Sequence, residues 1–306
     1  MPQGSILGPL LFLIYVNDIA NCSSLLNFRL FADDTNLFLE HKDPNALMLL
    51  VNNELVNLTN WINANKLSLN IKKSKFMLIS SPQKKTTDPF VILLNGTALE
   101  QTDSIKYLGI YIDKNLAWNE HINAVCNKVS KNIGILCKLR HYVDIDTLRS
   151  VYFSLIFPYL QYGALTWGVT YQSRINRIHV LNNKALRIMT FSNSRSHAPP
   201  IYRPLRILQF KDIVFTQIAL LMYDYYQSSL PPAFHSYFQA ISTMHSHGTR
   251  QSKSNFYIPS ISTNYGKSSL KFNGAKIWNS IDESLKLLPR NSFKKNIKEN
   301  CFLSYN

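Results

Sequence analysis

Asp33 and Asp34 are adjacent carboxylates between two short runs of strand-forming residues, 28–31 and 35–39. That order predicts a β-hairpin with both carboxylates at its tip. Neighbouring carboxylates repel one another and cost stability unless a cation lies between them. The usual occupant of such a pair is two Mg²⁺ ions that hold a triphosphate and an attacking hydroxyl. Asp33 is the metal ligand in this reading. Asp34 follows it, and strict strand alternation sends it to the opposite side. An ordinary Asp-rich turn uses the same residues and is the plain alternative.

Such a tip needs a packed layer behind it. After Ser5-Ile6-Leu7-Gly8-Pro9, the apolar run 10–16 predicts a buried helix ending near Asn17-Asp18. Pro44 opens an amphipathic helix with Leu47, Val51, Leu55, Leu58 and Ile62 spaced by three and four. A strand is expected over 76–79 and a second hairpin over 91–94 and 97–99 about Asn95-Gly96. Another strand is expected over 105–112, interrupted by Gly109. Beyond about residue 113 the pattern turns helical. Trp118, Ile122, Val125, Val129, Ile133 and Leu136 mark one long helix, and Asp144 or Asp146 can cap the next, over 148–157. Ile175, Ile178, Leu181, Ala185 and Ile188 stripe a third. On it Arg177, Lys184 and Arg187 fall within an arc of roughly 80°, as a grip for a phosphate backbone or a solvated edge. A helix is expected over 205–226, a polar Ser-rich loop at about 242–268, and a final helical portion over 270–302 broken at Pro289. The fold class is α+β.

With 306 residues and 46% hydrophobic content, the chain can bury substantial cores. The net charge of +15 suits a polyanionic partner. It is unevenly placed: residues 1–40 hold one basic and four acidic groups, and residues 128–211 hold thirteen and two. An acidic patch near Asp33 and a basic surface downstream suit a metal site served by a nucleic-acid track. Cys22, Cys126, Cys137 and Cys301 form no metal-binding spacing, which fits reduced thiols in a nuclear or cytoplasmic protein. No signal peptide is evident. The uncharged stretch 151–172 contains Pro158, Gly163 and Gly168, so it reads as a buried helix pair broken at Pro158 rather than a bilayer span.

Pro2-Gln3-Gly4-Ser5-Ile6-Leu7-Gly8-Pro9, followed by Phe31-Ala32-Asp33-Asp34-Thr35, resembles a reverse transcriptase of the non-LTR retrotransposon type, among the jockey, CR1 and L2-like elements. Leu67-Ser68-Leu69-Asn70 through Lys73-Ser74 is similar to the next polymerase block, and Tyr107-Leu108-Gly109-Ile110 to the one after. Tyr159-Leu160-Gln161-Tyr162-Gly163, Trp167-Gly168 and Gly274-Ala275-Lys276-Ile277-Trp278-Asn279 resemble the region beyond the polymerase core. The resemblance implies RNA-directed DNA polymerase activity with two Mg²⁺ ions, an RNA template, a DNA primer and deoxynucleoside triphosphates. It makes Asp33 and Asp34 the catalytic, metal-binding pair. Gln3 and Gly4, with Phe31 and Ala32, contact nucleotide and template. The resemblance places Lys73 near the triphosphate, where it would balance charge or protonate pyrophosphate, and a solvated lysine is the plain alternative. It assigns Tyr107, Leu108 and Gly109 to the hairpin that holds the primer end, and an ordinary buried strand with a glycine bulge is the plain alternative. Trp167 and Trp278 are core aromatics.

The resemblance also implies a further metal-binding aspartate and the fingers on residues upstream of Pro2-Gln3-Gly4, which this chain does not include. Asp18 is a poor substitute. The chain is therefore expected to be a C-terminal fragment: a partial palm over 1–113, a helical thumb-like region over 114–198, and a helical C-terminal region over 199–306. It is expected to be inactive alone. A non-catalytic, basic nucleic-acid-binding remnant or a helical interaction protein is the alternative.

Overall fold

The apolar run after Gly8-Pro9 does form a helix, α1 (Leu7–Val16), in this computed structural model, which describes residues 5–81, 89–243 and 254–305. The expectation that this helix is buried needs correction. Only Val16 is buried, while Leu10, Leu11, Leu13 and Ile14 are about half exposed or more. A helix that is apolar all round has to be covered on every side to be buried. The described residues cover one end of it.

Two compact units divide the chain, residues 1–106 with 113–116 and residues 107–112 with 117–306. In the first, strands β1 (Asn27–Phe31) and β2 (Asp34–Phe38) pair antiparallel. They are followed by α2 (Pro44–Ala64). Asp43 starts that helix by accepting the N–H groups of Asn45 (3.1 Å) and Ala46 (3.3 Å), and Pro44 stands where no N–H is needed. The buried face of α2 is Leu55, Leu58 and Ile62, packed with Ile19, Ile92 and Leu94. Phe28 and Leu37 of the first hairpin lie against this cluster. Each fully buried side chain of this size contributes roughly 1.5–3 kcal/mol.

Short strands complete the unit. The expected strand over 76–79 shrinks to β3 (Lys75–Phe76). β4 (Leu93–Leu94) and β5 (Thr97–Ala98) turn through Asn95 and Gly96, both at positive φ. That is the combination which matches the twist of a two-residue hairpin. β6 (Glu100–Gln101) runs parallel to β3, with Lys75 and Glu100 paired at 2.9 Å. The Asn52 amide on α2 accepts the Leu93 N–H (2.7 Å) and donates to the Val91 carbonyl (3.0 Å), tying helix to strand. β7 (Ser104–Tyr107) and β8 (Ile110–Asp113) form a further two-stranded sheet, of which residues 107–112, the turn and most of β8 included, belong to the second unit. The interruption expected at Gly109 is thus a full reversal, because Leu108 (φ 45°) and Gly109 (φ 85°) are both left-handed.

The second unit is helical: α3 (Asn119–Leu139), α4 (Ile145–Leu155), α5 (Phe157–Gln161), α6 (Ala164–Trp167), α7 (Gln172–Met189), α8 (Pro199–Tyr202), α9 (Phe210–Tyr226), α10 (Asn264–Lys267), α11 (Leu270–Asn279), α12 (Glu283–Lys286) and α13 (Arg290–Leu303). Asp144, of the two residues considered, caps α4 by accepting the Thr147 N–H at 2.8 Å. The chain breaks at Ile156, ahead of Pro158, because proline sits readily in the first turn of α5. The helix expected from residue 205 starts at Phe210, after Arg206 takes a left-handed φ of 49°. α9 is the central element, packed by α5, α6, α7, α11 and α13. One hydrophobic cluster takes in buried residues from Ile122 to Tyr305, on both sides of position 198. Among the described residues no helix is long and apolar enough to cross a membrane.

Trp167 anchors this core. Its ring is fully buried, stacked on Phe210 (5.1 Å between centroids) and edge-on to His121 (5.0 Å). His121 is buried too; its Nδ1 accepts the Tyr111 N–H at 3.4 Å, and its Nε2 has no partner among the described residues. Trp278 is likewise fully buried. Beside it, the Asn279 amide accepts the Phe256 N–H (3.0 Å) and donates to the Phe256 carbonyl (2.8 Å), acting as a substitute strand.

Two outcomes follow. A Cβ on Gly168 would overlap the Ala164 carbonyl and Val214, whereas one on Gly134, inside α3, meets nothing within 4 Å. Gly168→Ala should therefore destabilise by about 1–3 kcal/mol, and Gly134→Ala should stabilise by roughly 0.5–1 kcal/mol. Denaturant unfolding of the two variants checks this pair. Second, burial holds the His121 imidazole below its ordinary value of 6.5, and burial does the same to His179. The unfolded chain then takes up these protons first as pH falls. Their contribution is fully present above pH 6.5 and is lost below it as pH falls through the lowered folded values. Melting temperature should drop between pH 7.5 and about 5.5, and His121→Gln should flatten that slope.

Candidate polymerase site

The β1–β2 hairpin presents the acidic pair as the sequence suggests, with a two-residue turn. Phe31 pairs with Asp34, which leaves Ala32 and Asp33 as the turn and makes Asp34 the first residue of β2. Alternation along a strand therefore does not set Asp33 against Asp34. Ala32 has φ 51°, a left-handed backbone that favours glycine and costs about 1 kcal/mol for a residue with a Cβ. Phe31, Ala32, Asp33 and Asp34 are all exposed.

The register divides the hairpin into two faces. Asn27, Arg29, Phe31, Asp34, Asn36 and Phe38 share one; Phe28, Leu30, Thr35 and Leu37 share the other. The second face carries Phe28 and Leu37 onto the core. Asp34 accordingly stands on the outward face, with Phe31 and Phe38 exposed on either side. The pair is held out by a hairpin whose back is fastened down.

The remaining residues singled out in the sequence lie on other elements. Lys73 ends a 3₁₀ turn, Ile71–Lys73, whose Asn70 side chain accepts the Lys73 N–H at 3.3 Å. Its own side chain is exposed. Gln3 and Gly4 lie outside the described residues. Tyr107 ends β7, with Leu108 and Gly109 as its turn. Arg177 on α7 donates to Asn123 of α3, and the Arg187 guanidinium donates to the Ser196 carbonyl (2.9 Å). Both are thus engaged within the fold, while Lys184 is exposed.

The sequence reading passed over two features. Lys128, Lys131 and Lys138 are exposed on α3 at spacings of three and seven, which return to one helix face. The spacing alone was sufficient signal. The other is Tyr162, whose hydroxyl donates to the Leu108 carbonyl at 2.6 Å. Residues 54 apart in sequence give no local sign of such a contact.

The acidic pair suits divalent metal in donor type, since hard cations take carboxylate oxygen. It does not suit in number: such ions take six or more ligands, and among the described residues no group of three or more acidic, histidine or cysteine side chains gathers to hold one. Among the described residues, Asp33 and Asp34 do not by themselves make up the ligand set of such an ion.

Residues 1–112 match the family described as reverse transcriptase (RNA-dependent DNA polymerase). The chain is 30% identical over 210 residues to a probable RNA-directed DNA polymerase from transposon BS of Drosophila melanogaster, covering 62% of this chain and 22% of that protein. It is 26% identical to the probable RNA-directed DNA polymerase from transposon X-element of the same fly, over 62% and 21% of the two chains. It is 25% identical to the RNA-directed DNA polymerase from its mobile element jockey, over 69% and 24%. The chain thus spans between a fifth and a quarter of the length of these relatives. No solved structure matches it. Residues 1–112 thus match a reverse transcriptase domain, and the chain is similar to the RNA-directed DNA polymerases of non-LTR retrotransposons.

Proposed function

We propose that this chain contributes part of the active site, and part of the template–primer surface, of an RNA-directed DNA polymerase. The observation that carries the proposal is the acidic hairpin, fixed by its back face and lying inside the matched segment. The reaction is attack of a primer 3′-hydroxyl on the α-phosphate of a deoxynucleoside triphosphate, with pyrophosphate leaving. Reverse transcriptases depend on divalent metal for this, and two Mg²⁺ ions are the expected cofactor. In the chain itself, Asp33 and Asp34 concentrate negative charge at the end of a rigid strand pair. Phe31 and Ala32 bring exposed backbone beside them, where a nucleotide can approach. Gln3 and Gly4 are assigned to the same nucleotide and template contact. Lys73, exposed and close in sequence to Lys72 and Lys75, is suited to an anionic leaving group. Tyr107, Leu108 and Gly109 are assigned to the primer end.

RNA template, DNA primer and deoxynucleoside triphosphates are the proposed partners. The lysine face of α3 and the exposed Lys184 support the nucleic-acid part of this reading. Arg177 and Arg187 are proposed to contribute positive potential to that surface rather than free hydrogen-bonding arms, since both already have protein partners.

Because two carboxylates fall short of a complete metal site, residues 1–306 alone should give no primer extension on an RNA template with Mg²⁺. Extension that disappears on Asp33→Ala would overturn that expectation. Binding is expected all the same. With three phosphates neutralised by Lys128, Lys131 and Lys138, affinity for an RNA–DNA hybrid should fall about 40-fold between 50 and 200 mM salt. Replacing the three lysines by glutamine should flatten that dependence. A salt-independent affinity, read by fluorescence anisotropy, would remove phosphate contacts as the basis of binding.

A further inference from the structure

We propose that Tyr162 is a positioning residue for the Leu108-Gly109 turn, so that the helical unit sets the geometry of the proposed primer-end contact. The inference rests on the reading of Tyr107, Leu108 and Gly109 given above and adds what holds them in place.

The turn that joins β7 to β8 is strained. Leu108 has φ 45° and Gly109 φ 85°. Glycine adopts that backbone freely and leucine does not. A non-glycine residue keeps such a conformation where its surroundings over-determine it. The surroundings here include the Tyr162 hydroxyl, which donates to the Leu108 carbonyl at 2.6 Å. The same tyrosine ring lies over Gly109, where an added Cβ would sit 3.4 Å from Cε1. Tyr162 thus holds one turn residue by its oxygen and faces the next with its ring.

A positioning residue must itself be fixed. The Tyr162 carbonyl accepts the Trp167 indole N–H at 3.0 Å, and Trp167 is fully buried between Phe210 and His121. One residue earlier, the Gln161 carbonyl accepts the Gln217 amide from α9 at 2.7 Å. One residue later, Gly163 has φ 59°, and a Cβ there would overlap Ile110 Cδ1, so the corner sits directly on the first residue of β8. From the other side, the Tyr111 N–H points at His121 Nδ1 (3.4 Å). Tyr162 nevertheless remains 56% exposed, so its hydroxyl lies at the surface where a bound strand could meet the turn.

The test is Tyr162→Phe, which keeps the ring and removes the hydroxyl, compared with wild type in the full 306-residue chain by two measurements. The first is amide hydrogen exchange. Losing the hydrogen bond should speed exchange at residues 108–111 roughly three- to tenfold, while the helices and the melting temperature stay unchanged. Unaltered exchange at those residues overturns the positioning role whatever the protein binds. The second is anisotropy binding of an RNA–DNA hybrid with a recessed DNA 3′ end against a blunt hybrid of equal length. Wild type should prefer the recessed end, and Tyr162→Phe should lose that preference while keeping its affinity for the blunt hybrid. A preference retained by the variant overturns the link to the primer end. A wild-type chain with no preference overturns the primer-end reading, and so this inference about what the turn contacts, while the exchange result still decides whether Tyr162 holds it. Tyr162→Ala, which removes the ring as well, should speed exchange further than Tyr162→Phe; equal effects would assign the hold to the oxygen alone.

Discussion

Residue 163 has no side chain, and the corner it makes depends on that. A Cβ there would run into Ile110, and the backbone is left-handed besides. Because the space stays open, Tyr162 can turn its carbonyl toward the Trp167 indole and its hydroxyl toward Leu108. Trp167 then seats against Phe210 at the start of α9. Since α9 touches α5, α6, α7, α11 and α13, the orientation set at one glycine is passed to most of the helical core. Larger residues at 163 or 168 would be expected to displace packing well beyond their own neighbours, because close-packed interiors transmit strain.

Much of the fold was legible before any coordinates. The three-and-four spacing of Leu47, Val51, Leu55, Leu58 and Ile62 fixed both the existence and the buried side of α2. Asn95-Gly96 announced its turn because few other pairs accept two positive φ values in succession. The acidic hairpin was read to within one residue for the same kind of reason: two strand-forming runs leave little room for anything but a short loop between them. Leu108-Gly109 was harder. Leucine is a poor turn residue, so the run from 105 to 112 read as one interrupted strand. α1 was read as buried from composition alone, and composition records how apolar a helix is without recording what lies beside it.

The site was less legible than the fold. Sequence placed the carboxylates and the lysines, but not which cations were already committed. Arg187 looked available until its guanidinium was found on the Ser196 carbonyl, a partner supplied by a loop with no pattern to betray it. The α3 lysines were visible in the spacing and were overlooked in favour of α7. Tyr162 belonged to a recognised motif, but its role depends on a contact across 54 residues that no local rule supplies. Long-range hydrogen bonds to backbone carbonyls are set by packing, and packing is what a linear pattern describes least well.

The tryptophans have an optical consequence. Trp167 and Trp278 are both fully buried, and both lie in the helical unit, while Trp61 and Trp118 are only half-buried. Emission from the two enclosed indoles should be blue-shifted and well shielded from aqueous quenchers. Loosening of the helical core would move that emission toward the red. Trp61, the single indole of the first unit, and Trp118 of the second would contribute the more quenchable part. The chain therefore carries an intrinsic dye pair, Trp167 and Trp278, that reports on the helical core with no label added.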